Sequence, residues 1–482
     1  MGSVAHALTI DPAPAGRLAT ARSARSALPA LALGLVLLPL GWLVLAAADR
    51  ASVLSPPAAR GGAAGTWTLG PLRGVLDGVD TAQHVLHSDM LVVLGLVGGG
   101  WLLAWIAAPR LQVRVLAGAV AAAHGLLLLA PPLPLTDVFN YELYGRMAAV
   151  HGLNPYRDVP AQALHDPLFA VTNWHHLRSP YGPLFTLASE ALGVFGVHGW
   201  LWAWKVVVIA SSLATIALAA DIAGRLGGSR QRVIAAVGLS PVLLIFEVGG
   251  LHQDMPAMAC MLGAAWCLVR GRDGDAPAWV APLAGALAVT AAGIKPSFAI
   301  VVGVVVLGAS RRGRAIAGAA VAAAALVAID LLAYGGALPA ITSQSALVNP
   351  LSLPNLLGLA AGHGGADHAV RIVAEGALVA IAVAATIAVG LRRERALSAL
   401  GAVLFCSVLT LAWVMPWYLI WALPFIALAR TRALVPVAVV ATCWLTIGAL
   451  PTLPGILHAG GYYPTRFATG RANHIEVRRL LR

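Results

Sequence analysis

Of the chain's 482 residues, 59% are hydrophobic and only 11% charged. Soluble domains carry charge on about a quarter of their residues, so a soluble globule is excluded and an all-α polytopic membrane protein is expected. The formal charge of +12 would suggest nucleic acid in a soluble chain, but the arginines cluster between apolar segments, where they orient helices, and no nucleic-acid partner is expected.

Apolar segments of about 17–22 residues predict thirteen transmembrane helices, at 28–47, 89–108, 115–134, 199–221, 232–250, 254–270, 277–294, 297–310, 313–334, 368–391, 396–414, 417–430 and 432–450. A cytoplasmic tail, 1–27, precedes this transmembrane domain of 28–450, and a tail, 451–482, follows it. The first apolar run, preceded by arginines and ending in Ala46-Ala47-Ala48, also fits a signal peptide. Its length exceeds the usual signal core of about 7–15 residues, which favours an uncleaved span.

Arg17, Arg22 and Arg25 and the connectors Arg110–Arg114, Arg225–Arg232, Arg270–Arg272, Arg311–Arg314, Arg392–Arg395 and Arg430–Arg432 fall at alternate span ends. The positive-inside rule assigns them to the cytoplasm. The long segments 49–88, 135–198, 335–367 and 451–482 are then extracytoplasmic. Residues 184–197 break this alternation if counted as a span, and are read as an amphipathic helix lying along the membrane surface or re-entering it. Cys260, Cys267, Cys406 and Cys443 lie within apolar spans without metal-ligand spacing, as small core residues; no disulfide or zinc site is expected.

Charged groups at span edges are functional candidates. Asp137 follows the Pro131-Pro132-Leu133-Pro134 stop and starts a helix, either as a chemical group or as a plain cap. Asn140, Tyr141, Tyr144 and Gly145 share its helix face. Aromatic groups beside a carboxylate suit a sugar; an interfacial aromatic belt is the alternative. The prolines of Leu153-Asn154-Pro155-Tyr156-Arg157 and Arg178-Ser179-Pro180-Tyr181-Gly182-Pro183 make rigid turns that hold the loop. Between them, His175 and His176 are either ligand contacts or solvated loop histidines.

The chain has two lysines, Lys205 and Lys295. Lys295, before Pro296, is placed to pair with a lipid phosphate, and snorkelling is the alternative for both and favoured for Lys205. His252-Gln253-Asp254 forms a tight outer turn in which Asp254 is either an N-cap or a second carboxylate near Asp137. Met415-Pro416-Trp417-Tyr418 marks another outer turn, as belt residues or as part of a polyprenyl groove. Glu190 and Glu247 have no assignable role.

The chain resembles the integral-membrane GT-C glycosyltransferases, in particular the actinobacterial polyprenyl-phosphate-mannose-dependent α-1,6-mannosyltransferases. The resemblance lies in Asp137-Val138, Tyr141, Gly145-Arg146, Gly152-Leu153-Asn154-Pro155-Tyr156, Asp166-Pro167-Leu168, Trp174 and Ser179-Pro180-Tyr181-Gly182-Pro183-Leu184. Weaker echoes are His252-Gln253-Asp254, Lys295-Pro296 and Pro416-Trp417-Tyr418. Asn140 and Glu142 depart from the small residues expected beside the motif tyrosine.

That resemblance implies a GT-C-like fold with surface helices in the 135–198 loop, a polyprenyl-phosphate sugar donor, a glycan or glycolipid acceptor and a site on the outer face of the plasma membrane. It implies Asp137 as base in one inverting displacement, and Lys295 and Arg178 as cations for the leaving phosphate. Tyr141, Tyr144, Arg146, Asn154, Tyr156, His175, His176, Tyr181, His252, Asp254, Trp417 and Tyr418 are the expected substrate contacts; neither cofactor nor metal is expected. A transporter or flippase would instead put its polar groups near the midplane. The same enzyme class acting with arabinose or glucose stays open, as does a non-catalytic scaffold.

Overall fold

The computed structural model describes residues 15–56, 62–76, 78–341, 346–429, 431 and 433–481. Arg430, Arg432 and residues 1–14 of the expected N-terminal tail lie outside the described residues, as do the side chains of Arg17, Arg22 and Arg25. Every regular element among the described residues is helical. In chain order they are α1 (Ala15–Asp49), α2 (Gln83–Ala107), α3 (Val113–Leu129), α4 (Asp137–Ala149), α5 (Pro183–Leu192), α6 (Gly196–Arg225), α7 (Arg230–Gly238), α8 (Asp254–Arg270) and α9 (Val280–Ile294). There follow α10 (Val302–Gly308), α11 (Arg312–Tyr334), α12 (Leu353–Ala360), α13 (His368–Leu391), α14 (Ala396–Thr410), α15 (Leu423–Leu428), α16 (Leu434–Gly448), α17 (Leu453–Ala459) and α18 (Ala468–Leu481).

Helix occupies each of the thirteen expected segments, but length does not make thirteen spans. Five helical runs are long and apolar enough to cross a bilayer: Ala27–Asp49, Gln83–Arg110, Pro183–Arg225, Arg312–Tyr334 and His368–Leu391. Two bent pairs raise that to seven, Arg230–Gly238 with Val242–Val248 at 47° and Leu434–Gly448 with Leu453–Ala459 at 89°. Others are shorter, such as Val113–Leu129 and Val280–Ile294. At 1.5 Å per residue a helix of fewer than about 18 residues cannot by itself cover a hydrocarbon core of about 30 Å.

The bundle is held by small-residue contacts. A Cβ on Gly285 of α9 would collide with the backbone at Ala315, and one on Gly318 of α11 with the backbone at Pro282. Without a hydrophobic drive between helices in lipid, such close backbone approach is what packs them. The innermost layer is the π-helical stretch Val242–Val248 and α8, where Leu243, Leu244, Ile245, Met255, Met258 and Met261 are fully buried. Cys443 is exposed, against the expectation that all four cysteines are core residues.

The connectors Arg225–Arg232, Arg270–Arg272, Arg311–Arg314 and Arg392–Arg395 meet at one end. Arg225 lies 3.6 Å from Asp273, Arg272 donates to the Arg393 carbonyl at 3.4 Å, Arg393 to Ser310 O at 3.4 Å, and Arg312 to Gly390 O at 2.6 Å. Lys205 does not snorkel. It is 1% exposed, and its Nζ donates to the carbonyls of Leu128 at 3.2 Å and Ala130 at 2.6 Å, closing the C-terminal end of α3.

The opposite end carries the 135–198 loop, a folded layer. The surface helix expected at 184–197 is not continuous: α5 ends at Leu192, the single turn Gly193–Phe195 follows, and Gly196 (φ 68°) starts α6. Phe185, Thr186 and Ser189 of α5 are buried, and Ser189 Oγ donates to Tyr141 O at 2.7 Å. Gly145 allows this, because a Cβ there would meet Ser189 Oγ at 2.5 Å. The segment 451–482 is more than a tail, for α18 docks on the loop: the His176 N–H donates to Leu480 O at 2.9 Å, and Leu480 packs with Leu177, Leu347, Trp174 and Trp413.

Candidate active site

Three backbone arrangements bring the site together. The Gly182 N–H donates to Ile294 O at 3.1 Å, setting Tyr181 beside Lys295; a Cβ at Gly182 would overlap the Gly293 carbonyl. Lys295 ends α9 in extended backbone (φ −130°, ψ 109°), the conformation imposed by the following Pro296. Leu251 holds φ 59°, the only non-glycine residue with positive φ among those described, and this strained corner turns His252, Gln253 and Asp254 inward. Trp204 Nε1 donates to Leu251 O at 2.9 Å and pins the corner.

The result is a cavity of about 240 Å³ lined by Asp137, Tyr141, Asn173, Trp174, Tyr181, Gln253, Asp254, Lys295, Trp413, Trp417 and Tyr418, among others. Asp137, the first residue of α4, accepts a hydrogen bond from Trp174 Nε1 at 3.1 Å. Asp254 Oδ1 receives Lys295 Nζ and Trp421 Nε1, each at 2.5 Å. Lys295 lies over Tyr418, 4.4 Å from the ring centroid, and 4.8 Å from that of Trp421. An ammonium has three donors, so the pair with Asp254 leaves donors for a ligand. The two carboxylates thus share one cavity, one of them paired with the lysine.

His252 stands behind the wall. Its ring stacks on Trp417 at 3.7 Å, and its Nδ1 is 3.0 Å from Tyr141 Oη. Burial, with the Lys295 charge added, pushes its pKa well below the usual imidazole range, so the ring is neutral and acts as a hydrogen-bonding strut.

Besides His252, seven expected contacts are not among the residues lining this cavity. Tyr144 Oη donates to Leu177 O at 2.7 Å; Asn154 Nδ2 donates to Tyr334 O at 2.8 Å. Tyr156 Oη donates to Tyr181 O at 3.0 Å and bonds Thr186 at 2.8 Å. Arg146 Nε reaches Asp166 at 2.9 Å. His175 stacks on Phe169 at 4.0 Å, its Nε2 3.1 Å from the Phe169 carbonyl, and His176 and Arg178 are exposed. Tyr144, Asn154, Tyr156 and His175 thus meet backbone carbonyls that irregular structure must satisfy, Arg146 is taken by the Asp166 carboxylate, and His176 and Arg178 face outward.

Asp166 anchors that layer. Burial alone would raise its carboxyl, but hydrogen bonds from Arg146, His151 and the Leu168 N–H hold it below its ordinary value. Glu142, one turn before Arg146, is 1% exposed and neither oxygen has a hydrogen-bond partner. Burial raises it to about 9 against the opposing pull of Arg146.

Asn173, Gln253 and Trp413 also line the cavity and were not foreseen as contacts. Gln253 was legible by position, between two foreseen residues; Asn173 and Trp413 carry no local signal. A second, apolar cavity of about 350 Å³, lined by Leu54, Met90, Leu94, Phe246 and Pro350 among others, shares Leu135, Trp413, Met415 and Trp417 with the first. Among the described residues no group of three or more His, Cys, Asp or Glu converges as a metal site.

Residues 58–311 match the family model described as alpha-(1->6)-mannopyranosyltransferase, N-terminal domain, just over half of the 482 residues. The chain belongs to this mannopyranosyltransferase family. Residues 352–458 match the family's MptB C-terminal domain. Similar proteins include a probable alpha-(1->6)-mannopyranosyltransferase of Mycolicibacterium smegmatis, 28% identical over 33% of this chain and 29% of the relative. Alpha-(1->6)-mannopyranosyltransferase A of Mycobacterium tuberculosis is 30% identical over 36% of each chain. Alpha-(1->6)-mannopyranosyltransferase B of Corynebacterium glutamicum is 23% identical over 65% of this chain and 59% of its own. The chain thus spans between 29% and 59% of the lengths of these relatives. No solved structure matches it. Asp137 and the Lys295–Asp254 pair of this family member both fall within the residues 58–311.

Proposed function

We propose that the chain is an inverting mannosyltransferase that moves mannose from a polyprenyl phosphate to a hydroxyl of a glycan or glycolipid, at the outer face of the plasma membrane. The observation that carries this reading is the junction of two cavities, one polar with Asp137 and Lys295, the other apolar, across the shared wall of Leu135, Trp413, Met415 and Trp417. A lipid-linked sugar has the same two parts, and the family relatives are named for mannosyl transfer. Support for the outer face comes from the arginine connectors that meet at the opposite end, the end that the positive-inside rule would put in the cytoplasm.

In this scheme Asp137 accepts the proton of the acceptor hydroxyl as that oxygen attacks the anomeric carbon, and the bond from that carbon to the phosphate oxygen breaks. Positive charge develops on the sugar ring and negative charge on the departing phosphate. Lys295, fixed by Asp254 and the rings of Tyr418 and Trp421, stabilises the departing anion. Arg178, exposed and not among the cavity-lining residues, has no part in it. The Trp174 indole holds the Asp137 carboxylate toward the cavity, and the isoprenoid tail lies in the apolar cavity.

The test is transfer by the purified chain in detergent from a short-chain polyprenyl-phosphate mannose, followed by linkage analysis of the product. Transfer without a gradient separates an enzyme from a transporter. No transfer from any polyprenyl-phosphate hexose would sink the reading.

A further inference from the structure

Three buried oxygens of residues that line the site cavity have no protein partner: Asn173 Oδ1, Gln253 Oε1 and Asp254 Oδ2. Leaving a buried polar group unpaired costs about 1–3 kcal/mol, and such groups in a cavity wall call for a ligand that brings hydrogen-bond donors. Two of the three belong to amides, which offer a carbonyl acceptor and N–H donors on one planar group. An amide can therefore pair with two neighbouring hydroxyls of a sugar ring and register their stereochemistry. Neither amide takes part in the proton transfer or in the stabilisation of the phosphate.

Their chain neighbours tell them apart. Gln253 is 1% exposed and immediately precedes Asp254, whose Oδ1 holds Lys295 at 2.5 Å. It lies two residues after the strained corner at Leu251, φ 59°. Asn173 immediately precedes Trp174, which donates to Asp137 at 3.1 Å. Its backbone N–H is tied to Asn140 Oδ1 at 3.2 Å. One amide thus accompanies the cation and the other the base.

We infer that Gln253 reads the hydroxyls of the transferred sugar and that Asn173 reads those of the acceptor. This assignment rests on the glycosyl-transfer reading above, because only there do the lysine and the aspartate mark a donor side and an acceptor side. A site that hydrogen-bonds a substrate hydroxyl discriminates strongly against a sugar that lacks or inverts it, since its own buried polar group is then left unpaired.

The experiment uses the full chain in detergent, with short-chain polyprenyl phosphates carrying mannose or its 2-epimer glucose as donors and an octyl α-mannoside as acceptor probe. Gln253→Met should reduce the mannose-to-glucose ratio of kcat/KM by roughly tenfold to a hundredfold, with the acceptor KM unchanged. Asn173→Leu should raise the acceptor KM by a similar factor and leave the donor ratio alone. A donor ratio unchanged in Gln253→Met, or both variants shifting donor and acceptor parameters together, overturns the assignment. Should Gln253→Met fail to fold, Gln253→Asn keeps the amide but withdraws its oxygen by one methylene: a changed donor ratio supports the assignment and an unchanged one overturns it. Wild-type chain that transfers neither sugar overturns the glycosyl-transfer reading and the assignment with it, whereas active wild type with unaltered selectivity in the variants overturns the assignment alone.

Discussion

Trp174 Nε1 donates to Asp137 Oδ1 at 3.1 Å, and the same indole packs against the cluster of Leu177, Leu347 and Leu480. The carboxylate at the start of α4 is therefore oriented by a loop residue that the last helix of the chain supports from behind.

Asp137→Asn keeps the shape and the acceptor oxygen for Trp174 but removes the proton acceptor. Turnover should fall by about 10²–10⁴, the usual contribution of a general base, while the unfolding temperature stays within a few degrees of wild type. Transfer assays beside thermal unfolding in detergent check both halves; near-native turnover removes Asp137 from the mechanism.

Leu480→Ala should reach the site through Trp174. A buried leucine truncated to alanine costs about 2–5 kcal/mol locally, and a misplacement of about 1 Å at a reacting group costs about a hundredfold in rate. The expected result is a fall in kcat of tenfold or more with donor KM little changed, and recovery in Leu480→Met. Equal loss in both variants would mean that the helix α18 does not orient the indole.

The Lys295–Asp254 pair is buried, with side-chain exposures of 11% and 1%. Removing one partner leaves an uncompensated charge and should destabilise by about 3–5 kcal/mol. The double variant Asp254→Leu with Lys295→Met should regain much of that stability in chemical unfolding yet remain inactive. A double variant as unstable as the singles would mean that the pair is not the source of the loss.

Glu142 and Asp166 should show opposite pH signatures. Burial raises Glu142 to about 9 from 4.5, so the folded state binds the extra proton and stability declines as pH rises from the ordinary value toward the raised one. Glu142→Gln should be neutral near pH 4 and stabilising near pH 8 in thermal unfolding. Asp166, held below its ordinary 3.8, contributes stability that is full above that value and lost as pH falls through the lower folded one. Asp166→Asn should therefore destabilise at pH 7 and cease to matter in strong acid. A Glu142→Gln effect independent of pH would contradict the buried neutral carboxyl.

The helical segments were legible because apolarity is additive along the chain: each expected span from 28–47 to 432–450 contains helix. How many of them cross was not legible from apolarity, since the break between Gly238 and Val242 holds Pro241 and the bend after Gly448 precedes Pro451, and a proline ends or kinks a helix without lowering its hydrophobicity. Within the site, Asp137, Tyr141, Tyr181, Asp254, Lys295, Trp417 and Tyr418 were foreseen as chemistry-bearing residues, and the fold gathers them in one cavity.

By itself the sequence determined a helical membrane protein with its arginines in connectors and a polar loop beginning at Asp137, because burial in lipid and the cost of charge act on short windows. Only the tertiary structure decided which polar groups of that loop face a ligand and which satisfy the loop itself. Tyr144, Arg146, Asn154 and Tyr156 share the composition of the site, yet their partners Leu177, Asp166, Tyr334 and Tyr181 consume them. The Trp421 bond to Asp254 joins residues 167 apart, and the Trp174 bond to Asp137 joins residues 37 apart. Such pairings are set by how helices pack, a long-range property that composition and spacing do not carry.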